Sequence, residues 1–506
     1  MFWAIFLESR KPKSIFMEFR NFLEQIAQYL DKNYYCKKHK IEHTGKNAYA
    51  LDFYMALGDM GKAKKLVFKI IDKAKEKDGH LVFYPGIFNH YNKSNNVIDC
   101  GAIIDSLSRF LYRHKDIFDK EELEKIEGVL DRVVNTYLVD AAVKKPITNQ
   151  RLWGLTGLAS YYHYKKDSNL LPIIKESIEV SLKEMTDDGF FIYHPHTDQV
   201  KNFPGYGGLT TYYQSRCTAF IYYAIEKSGL DLGLYQNKLE QSILALLSMY
   251  KQEGYKDLNL ECKKWYWLSD YEIASHTFDV YALSKSTNPL AKQILLRSLH
   301  QIKNHIKNGY LHSHAGSNHN YQCNLFWNAH LAWVTRVGDI EKLWSLNIDQ
   351  EPIDFEIKLD KVVNISHNSY QVILNKFWQE RNYTVGIYGN GLPKECNKKF
   401  YKFSLLKPNK NVLFSIRETL YHCKVALRTF HLGEFFARLI KLSKGIFVSI
   451  MPVYQLKYGK VDNFVWDNNK LRFSIIPATK YGRLLDNKNC KVEILFDNQA
   501  YKIKSE

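Results

Sequence analysis

A loop that recurs along the chain constrains its fold more than any other feature. Its copies are Asp78-Gly79-His80-Leu81-Val82-Phe83-Tyr84-Pro85, Asp188-Gly189-Phe190-Phe191-Ile192-Tyr193-His194-Pro195 and Asn308-Gly309-Tyr310-Leu311-His312-Ser313-His314. Each follows an amphipathic segment and delivers aromatics and histidines. The glycines stand roughly 110 to 120 residues apart, and a weaker copy, Glu253-Gly254-Tyr255, divides the second interval, giving a period of about 55 to 60 residues, the size of one helical hairpin. Hairpins repeated at that period predict a ring of helices whose loops gather at one end.

Apolar residues recur at helical spacing from about residue 16 to 346, as in Phe19, Phe22, Leu23, Ile26 and Leu30, or Ile104, Leu107, Phe110 and Leu111. Further helices are expected near 47–57, 61–76, 120–140, 149–164, 168–185, 211–228, 235–251, 270–285, 289–306 and 322–337, separated by Gly, Pro, Asn and Asp clusters. Residues 347–360, with Pro352 and mixed charge, read as a linker. Beyond it the period changes: 369–374, 383–388, 411–416, 445–450, 471–476 and 491–496 are short β-branched or aromatic runs bounded by turns. Helices first and strands second predict an α+β multidomain chain. Its expected parts are an incomplete (α/α) toroid over 1–346, the linker 347–360, and a C-terminal antiparallel β-sandwich over 361–506.

Charge is divided unevenly between these parts. The formal net charge is +18, and residues 361–506 hold 25 Lys and Arg against 10 Asp and Glu, so +15 belongs to the tail and +3 to the rest. Such a field attracts polyanions, among them nucleic acid, anionic lipid and acidic polysaccharide. No nucleic-acid module accompanies it, because the basic residues are scattered over strands and turns instead of forming a recognition helix. The eight cysteines, at 36, 100, 217, 262, 323, 396, 423 and 490, form no CxxC pair and read as separate thiols of a reducing compartment. The opening Met1-Phe2-Trp3-Ala4-Ile5-Phe6-Leu7 lacks a basic region and a small-residue cleavage site, and no run has the roughly 18 apolar residues of a membrane span. These features predict a cytoplasmic protein with no membrane span, a periplasmic or secreted location staying open. The sequence does not indicate an oligomeric state.

Candidate chemistry gathers in the loops. One neighbourhood is Phe88-Asn89-His90-Tyr91-Asn92. A second runs from His194 and His196 through Tyr206-Gly207-Gly208 to Tyr212-Tyr213-Gln214-Ser215-Arg216. The third is His312-Ser313-His314-Ala315-Gly316-Ser317-Asn318-His319, with His330 beyond. Thr148-Asn149-Gln150-Arg151 at a helix start and Ser275-His276 early in another helix join them. Gly-rich loops bearing His, Tyr and Asn are poor core material, because their polar groups need partners. Individual members also have plain structural readings: Asn149 as a helix cap, Tyr212 and Tyr213 as packing between hairpins. No Gly-x-Ser-x-Gly elbow, phosphate loop or dinucleotide fingerprint stands at a strand-to-helix junction, which disfavours a serine hydrolase and nucleotide chemistry. No cofactor is implied, although His312, His314 and His319 leave a structural or charge-neutralising divalent metal as an alternative.

An Asn-x-Arg at one helix start, a Gly-Tyr loop before a Tyr-Tyr helix and a His-rich loop late in the helical region make the chain resemble polysaccharide lyases of the heparinase II/III and alginate lyase kind. The resemblance spans most of the chain as architecture and rests on loose motifs. It implies β-elimination on an acidic, uronate-containing polysaccharide, in which the sugar carboxylate is neutralised, a base removes the C5 proton and an acid protonates the oxygen leaving C4. By that resemblance Asn149 binds the carboxylate with Gln150 and Arg151 beside it, Tyr206, Tyr212 or Tyr213 is the catalytic tyrosine, and His276 or His319 is its partner. Arg151 and Arg216 would lower the tyrosine pKa. Asn89, His90, Tyr91, His194, Arg216, His314 and Asn318 would line the substrate. The family is commonly secreted or periplasmic, and His367, His422 and His431 match no position of it.

Two other readings compete. A glycoside hydrolase on the same scaffold would draw two carboxylates from Asp99, Asp105, Asp187, Asp188 and Asp279, and a uronyl epimerase is a further glycan enzyme such a scaffold could carry. A non-catalytic polyanion-binding protein would use the basic tail alone and would tolerate loss of Asn149 and Tyr206.

Overall fold

The computed structural model describes residues 11–36, 41–83, 95–193, 195, 208–257, 260–261, 272–312, 324–346, 351–368, 370–375, 385–389, 399–404, 449–467, 470–479, 490–497 and 500–505, with a few isolated positions between 420 and 439. The expected strand at 411–416, part of that at 445–450, and the opening segment 1–7 lie outside these residues. The described chain is a mainly helical α+β fold with small antiparallel sheets, and it divides into two compact units. The first comprises 1–184, 215–240 and 271–348; the second comprises 185–214, 241–270 and 349–506.

The helices in chain order are α1 (Lys11–Lys32), α2 (Thr44–Asn47), α3 (Ala50–Leu57), α4 (Met60–Ile71), α5 (Asn95–His114), α6 (Lys120–Val133), α7 (Val139–Lys144), α8 (Thr148–Lys165), α9 (Leu170–Lys183), α10 (Thr211–Ser228), α11 (Gln236–Leu247), α12 (Glu272–Leu283), α13 (Pro289–His305), α14 (Asn324–His330) and α15 (Ile340–Ser345). Their starts follow local chemistry. Asp59 accepts from the Lys62 amide ahead of α4, Asp119 and Glu122 form a reciprocal cap on α6, and Asn288 with Pro289 opens α13. The helix expected over 120–140 is interrupted: residues Val134–Leu138 make a π-turn between α6 and α7.

The recurring loop is a β-hairpin turn. In the first unit β3 (Ala74–Lys77) pairs with β4 (His80–Phe83) around Asp78-Gly79, and β5 (Ile306–Lys307) pairs with β6 (Tyr310–Leu311) around Asn308-Gly309. Asp78, Gly79, Asn308 and Gly309 all have positive φ, at 49°, 81°, 54° and 79°. That is the two-residue turn which Asp-Gly and Asn-Gly favour because its twist matches the strands. In the second unit Gly189 and Gly254, both at φ 90°, turn shorter ladders through the bridges Met185–Phe191 and Tyr250–Lys256. A further small ladder, β1 (Tyr35–Cys36) with β2 (Ile41–Glu42), follows α1.

In the first unit α5 and α8 cross at backbone contact. A Cβ placed on Gly101 would stand 2.1 Å from the Trp153 carbonyl oxygen, and one on Gly157 would stand 2.9 Å from the Gly101 oxygen. Only glycine permits this approach. Beneath the crossing lies a buried ionic core. Arg336 pairs with Asp52 at 3.1 Å and with Asp105 at 2.8 Å, Arg109 also pairs with Asp52, and Asp105 accepts from Ser160 and Tyr223, each at 2.6 Å. The Arg336–Asp105 contact is a charge contact without an aligned hydrogen bond. The Trp333 ring covers the Arg336 guanidinium at 4.2 Å. Two carboxylates and two guanidinium groups balance, as a buried charged cluster requires.

Among its described residues the second unit holds two antiparallel sheets. One has the order β10 (Val385–Gly389), β9 (Tyr370–Asn375), β8 (Val362–His367), β7 (Phe355–Lys358). The other runs β11 (Lys399–Ser404), β12 (Ser449–Asp467), β13 (Lys470–Thr479), β14 (Cys490–Asp497), β15 (Ala500–Ser505). Strand β7 falls within the stretch 347–360 that reads as a linker, four residues of which lie outside the described ones. Strand alternation divides the apolar residues between two cores. Val363, Ile365, Val372 and Leu374 share one cluster with Leu471, Phe473, Ile475, Val492 and Ile494 of the other sheet. From the opposite face Val362 and Ile373 pack on Phe190, Leu209, Ala245 and Met249. There Asn364 donates to the Ser248 and Tyr250 carbonyls, so the first sheet is buried on both sides.

Candidate active site

The first turns of α8 carry the Asn-Gln-Arg motif, and they are buried. The residue before the helix is Ile147, which supplies no side-chain cap, and Thr148 Oγ1 donates instead to Glu184 at 2.6 Å. Asn149 is therefore the second residue of the helix and not its cap. Arg151 turns away from Asn149: it donates to the Lys145 carbonyl at 2.8 Å, forms an ion pair with Glu184, and reaches Ser181 Oγ at 3.3 Å. Its guanidinium fastens α8 to α9.

One turn after Asn149, and so on the same side of α8, stands Trp153, 1% exposed. Cations approach its ring from two other elements. Lys46 Nζ of α2 lies 5.0 Å from the ring centroid, and the Arg216 guanidinium carbon of α10 lies 5.9 Å from it. Both are buried, and both act on the same neighbour: His330 of α14, whose ring is 5.7 Å from that of Trp153. Burial pushes the His330 pKa well below its ordinary value, and the charges of Lys46 and Arg216 push it further in the same direction. His330 is accordingly a neutral imidazole in a positive field. Asp99 also feels the charge of Lys46 and accepts a hydrogen bond from the Gly45 amide; burial raises its pKa, and Lys46 and His43 partly offset the rise. Tyr49 and Phe278 complete the aromatic surround of Trp153.

The second unit contains the tyrosines. Glu261, 1% exposed, accepts from Thr210 Oγ1 at 2.9 Å, Thr211 Oγ1 at 3.2 Å and the Tyr212 amide at 3.3 Å, so that its carboxylate caps the start of α10. Lys256 Nζ donates to the Thr211 carbonyl at 3.3 Å. Tyr212 is buried, and Tyr213 is partly exposed with its ring 5.3 Å from that of Tyr193. Gln214 has a structural position: it bonds to Gly189 O, Ser242 O and the Phe191 amide, which holds the 188–189 turn. Along α10, Tyr212 precedes Arg216 by one helical turn.

Of the residues expected in the site, the first unit brings Asn149 and Arg216 to Trp153 by helix position and ring contact, and it places Arg151 in an internal ion pair. His276 is fully buried on α12 with Nδ1 2.7 Å from Ser298 Oγ. Asn89, His90, Tyr91, His194, Tyr206, His314, Asn318 and His319 lie outside the described residues. His312 Nε2 is 2.9 Å from the Lys307 carbonyl, and among the described residues no three His, Cys, Asp or Glu gather as metal ligands. Among the described residues no helix is long and apolar enough to cross a membrane. Sequence reasoning missed Lys46, because Thr44-Gly45-Lys46-Asn47 carries no chemical motif, and Glu261, whose capping partners are some 50 residues away in the chain.

No family model and no curated protein matches the chain. Among solved structures, a mutant of the chondroitin AC lyase of Streptomyces coelicolor A3 aligns with it at a TM-score of 0.48 and 8% sequence identity, over 97% of this chain and 66% of that one. The chain thus spans slightly under two thirds of that protein's length.

Proposed function

We propose that the protein is a polysaccharide lyase that cleaves a uronate-containing glycan by β-elimination, with the carboxylate held by the cationic cluster of the first unit. The observation that carries this reading is the convergence of Lys46 and Arg216 on Trp153 and His330, two buried cations on one aromatic and one neutral imidazole. Such a setting favours a planar anion and withdraws charge from it, which the C5 proton of a uronate requires before it can leave. In the proposed reaction Asn149 hydrogen-bonds the carboxylate. The tyrosinate of the catalytic tyrosine, Tyr206, Tyr212 or Tyr213 by this reading, takes the C5 proton, the C5–H electron pair becomes the C4–C5 double bond, and the C4–O bond breaks as its oxygen receives a proton from that tyrosine. Arg151 positions α8 through Glu184. The wider architecture belongs to the same reading: an (α/α) toroid formed by the helices of the N-terminal region, and a basic C-terminal β-sandwich that attracts the polyanion.

A hydrolase needs two carboxylates across the sugar. Asp105 is committed to Arg336, Ser160 and Tyr223, and Asp188 to Lys361 and Thr186, which weakens that alternative. The deciding experiment incubates the protein with a panel of acidic polysaccharides while absorbance at the unsaturated-uronate band and new reducing ends are both followed. A lyase raises both signals, and Arg216→Met or Lys46→Met lowers the rate by roughly 100-fold or more, the loss expected for a donor that stabilises developing charge. Reducing ends without absorbance would overturn elimination in favour of hydrolysis.

A further inference from the structure

Beside Asn149, the starts of α5 and α8 carry polar atoms that this mechanism does not use. The two helices run side by side in one direction. A Cβ on Gly154 would meet Val97 Cγ2 at 2.9 Å, one on Gly157 would meet the Gly101 oxygen at 2.9 Å, and Ser160 donates to Asp105 at 2.6 Å. The contacts ascend together along both helices, so their N-termini lie at one end of the first unit. Asn96 immediately precedes Val97, and Gln150 precedes Gly154 by one turn on the ridge that faces α5. Asn149 and Trp153 follow on the adjoining face.

Among the described residues, four side-chain atoms at this shared end are buried without a hydrogen-bond partner: Asn96 Oδ1, Asn149 Oδ1, Gln150 Oε1 and Trp153 Nε1. Their residues are 4%, 2%, 5% and 1% exposed. Each such atom costs about 1 to 3 kcal/mol if nothing ever pairs with it, so a group of four marks a place where a ligand supplies the partners. Three of these atoms are carboxamide oxygens, which accept, and the indole N–H donates. That mixture suits hydroxyl groups, which also donate and accept. A bare inorganic anion could use only the donors. The α8 start has no side-chain cap, and Lys46 lies beside Trp153, so the same end favours negative charge next to those hydroxyls.

We propose that Asn96, Gln150 and the Trp153 indole N–H form a specificity-determining subsite that reads the ring hydroxyls of the uronate residue. The proposal rests on the lyase reading for its sugar and adds Asn96 and Gln150, to which that reading gives no role, and a hydrogen-bonding part for the Trp153 indole. Its test compares wild-type protein, Asn96→Ala and Gln150→Ala on pairs of uronate oligosaccharides that differ in the configuration of one ring hydroxyl. Elimination rate, calorimetric binding and thermal midpoint are measured for each. The expected result is a KM raised roughly ten-fold with kcat within about two-fold, and a collapsed preference between the paired substrates, at an unchanged midpoint. Should an alanine variant fail to fold, Asn96→Leu and Gln150→Met keep the side-chain size, remove the hydrogen-bonding groups and carry the same readout. Elimination with unaltered KM and preference in the variants would overturn the subsite and leave the lyase standing. Binding without elimination, weakened in the variants, would support the subsite and overturn the lyase. A wild-type protein that neither binds nor cleaves these sugars would overturn both.

Discussion

Replacing Asp105 with Asn tests the ionic core of the first unit directly. Asp105 and Arg336 are 0% and 2% exposed in their side chains and 2.8 Å apart, so at an effective dielectric of about 20 their attraction is roughly 6 kcal/mol. The carboxamide no longer needs the solvation that a buried carboxylate gives up, which returns part of that energy. It also keeps an acceptor for Ser160 or Tyr223. What persists is one uncompensated positive charge among Asp52, Arg109 and Arg336, for which the usual cost is about 3–5 kcal/mol. Thermal and urea unfolding, followed by far-ultraviolet circular dichroism, should show that loss. Asp105→Asn combined with Arg336→Met restores neutrality, with Arg109 still paired to Asp52. The double variant should therefore fall short of the summed single losses by about 1–3 kcal/mol. A single-variant loss below about 1 kcal/mol, or strict additivity, would refute the assignment of a balanced buried charge cluster.

His330 is neutral in the folded chain, with a pKa depressed well below 6.5 by burial and by Lys46 and Arg216, whereas the unfolded chain binds a proton there at ordinary acidity. Stability from this group is fully present above about pH 6.5 and declines as pH falls below it, by up to roughly 1.4 kcal/mol per unit, until the folded pKa is reached. His330→Gln should flatten that part of the wild-type melting profile; an identical acid slope in the variant would count against the buried neutral imidazole. Two hairpin glycines separate conformational from steric cost. Gly189→Ala would set a Cβ 2.1 Å from the Gln241 oxygen at φ 90°, and should lose more than about 3 kcal/mol; Gly79→Ala, at φ 81° with no atom within 4 Å, should lose only about 1 kcal/mol. Equal urea midpoints for the two would contradict this.

Most helices were legible because a buried stripe repeats every three to four residues whatever the partner: α8, α10 and α13 begin within a residue of where periodicity places them. The hairpins were half legible. Asp78-Gly79 and Asn308-Gly309 announced themselves as a repeat, yet the strand Ala74–Lys77 is charged and short and continues the α4 pattern, so only the positive φ values separate it from a helix end. Pairings between distant residues were illegible. Asp52 and Arg336 are 284 positions apart, and nothing in Ala50-Leu51-Asp52 distinguishes a core carboxylate from a surface one. The same limit hid Arg151: Asn-x-Arg at a helix start reads as a substrate site, and only the fold brings Glu184 to the guanidinium.

The ionic core and the candidate site share helix α8, and this ties function to the least legible part of the molecule. One end of its 18 residues bears Asn149, Gln150 and Trp153, and Ser160 farther along is bound to Asp105. Between them Gly157 packs on the Gly101 backbone of α5 and Gly154 on the Val97 side chain, contacts that oppose rotation of either helix. Polar groups at the end of a helix are useful for recognition only if that helix cannot shift to satisfy them internally. Glycine contact and the Asp105 anchor remove that freedom, which explains how these four buried polar atoms can stay unpaired in the folded chain.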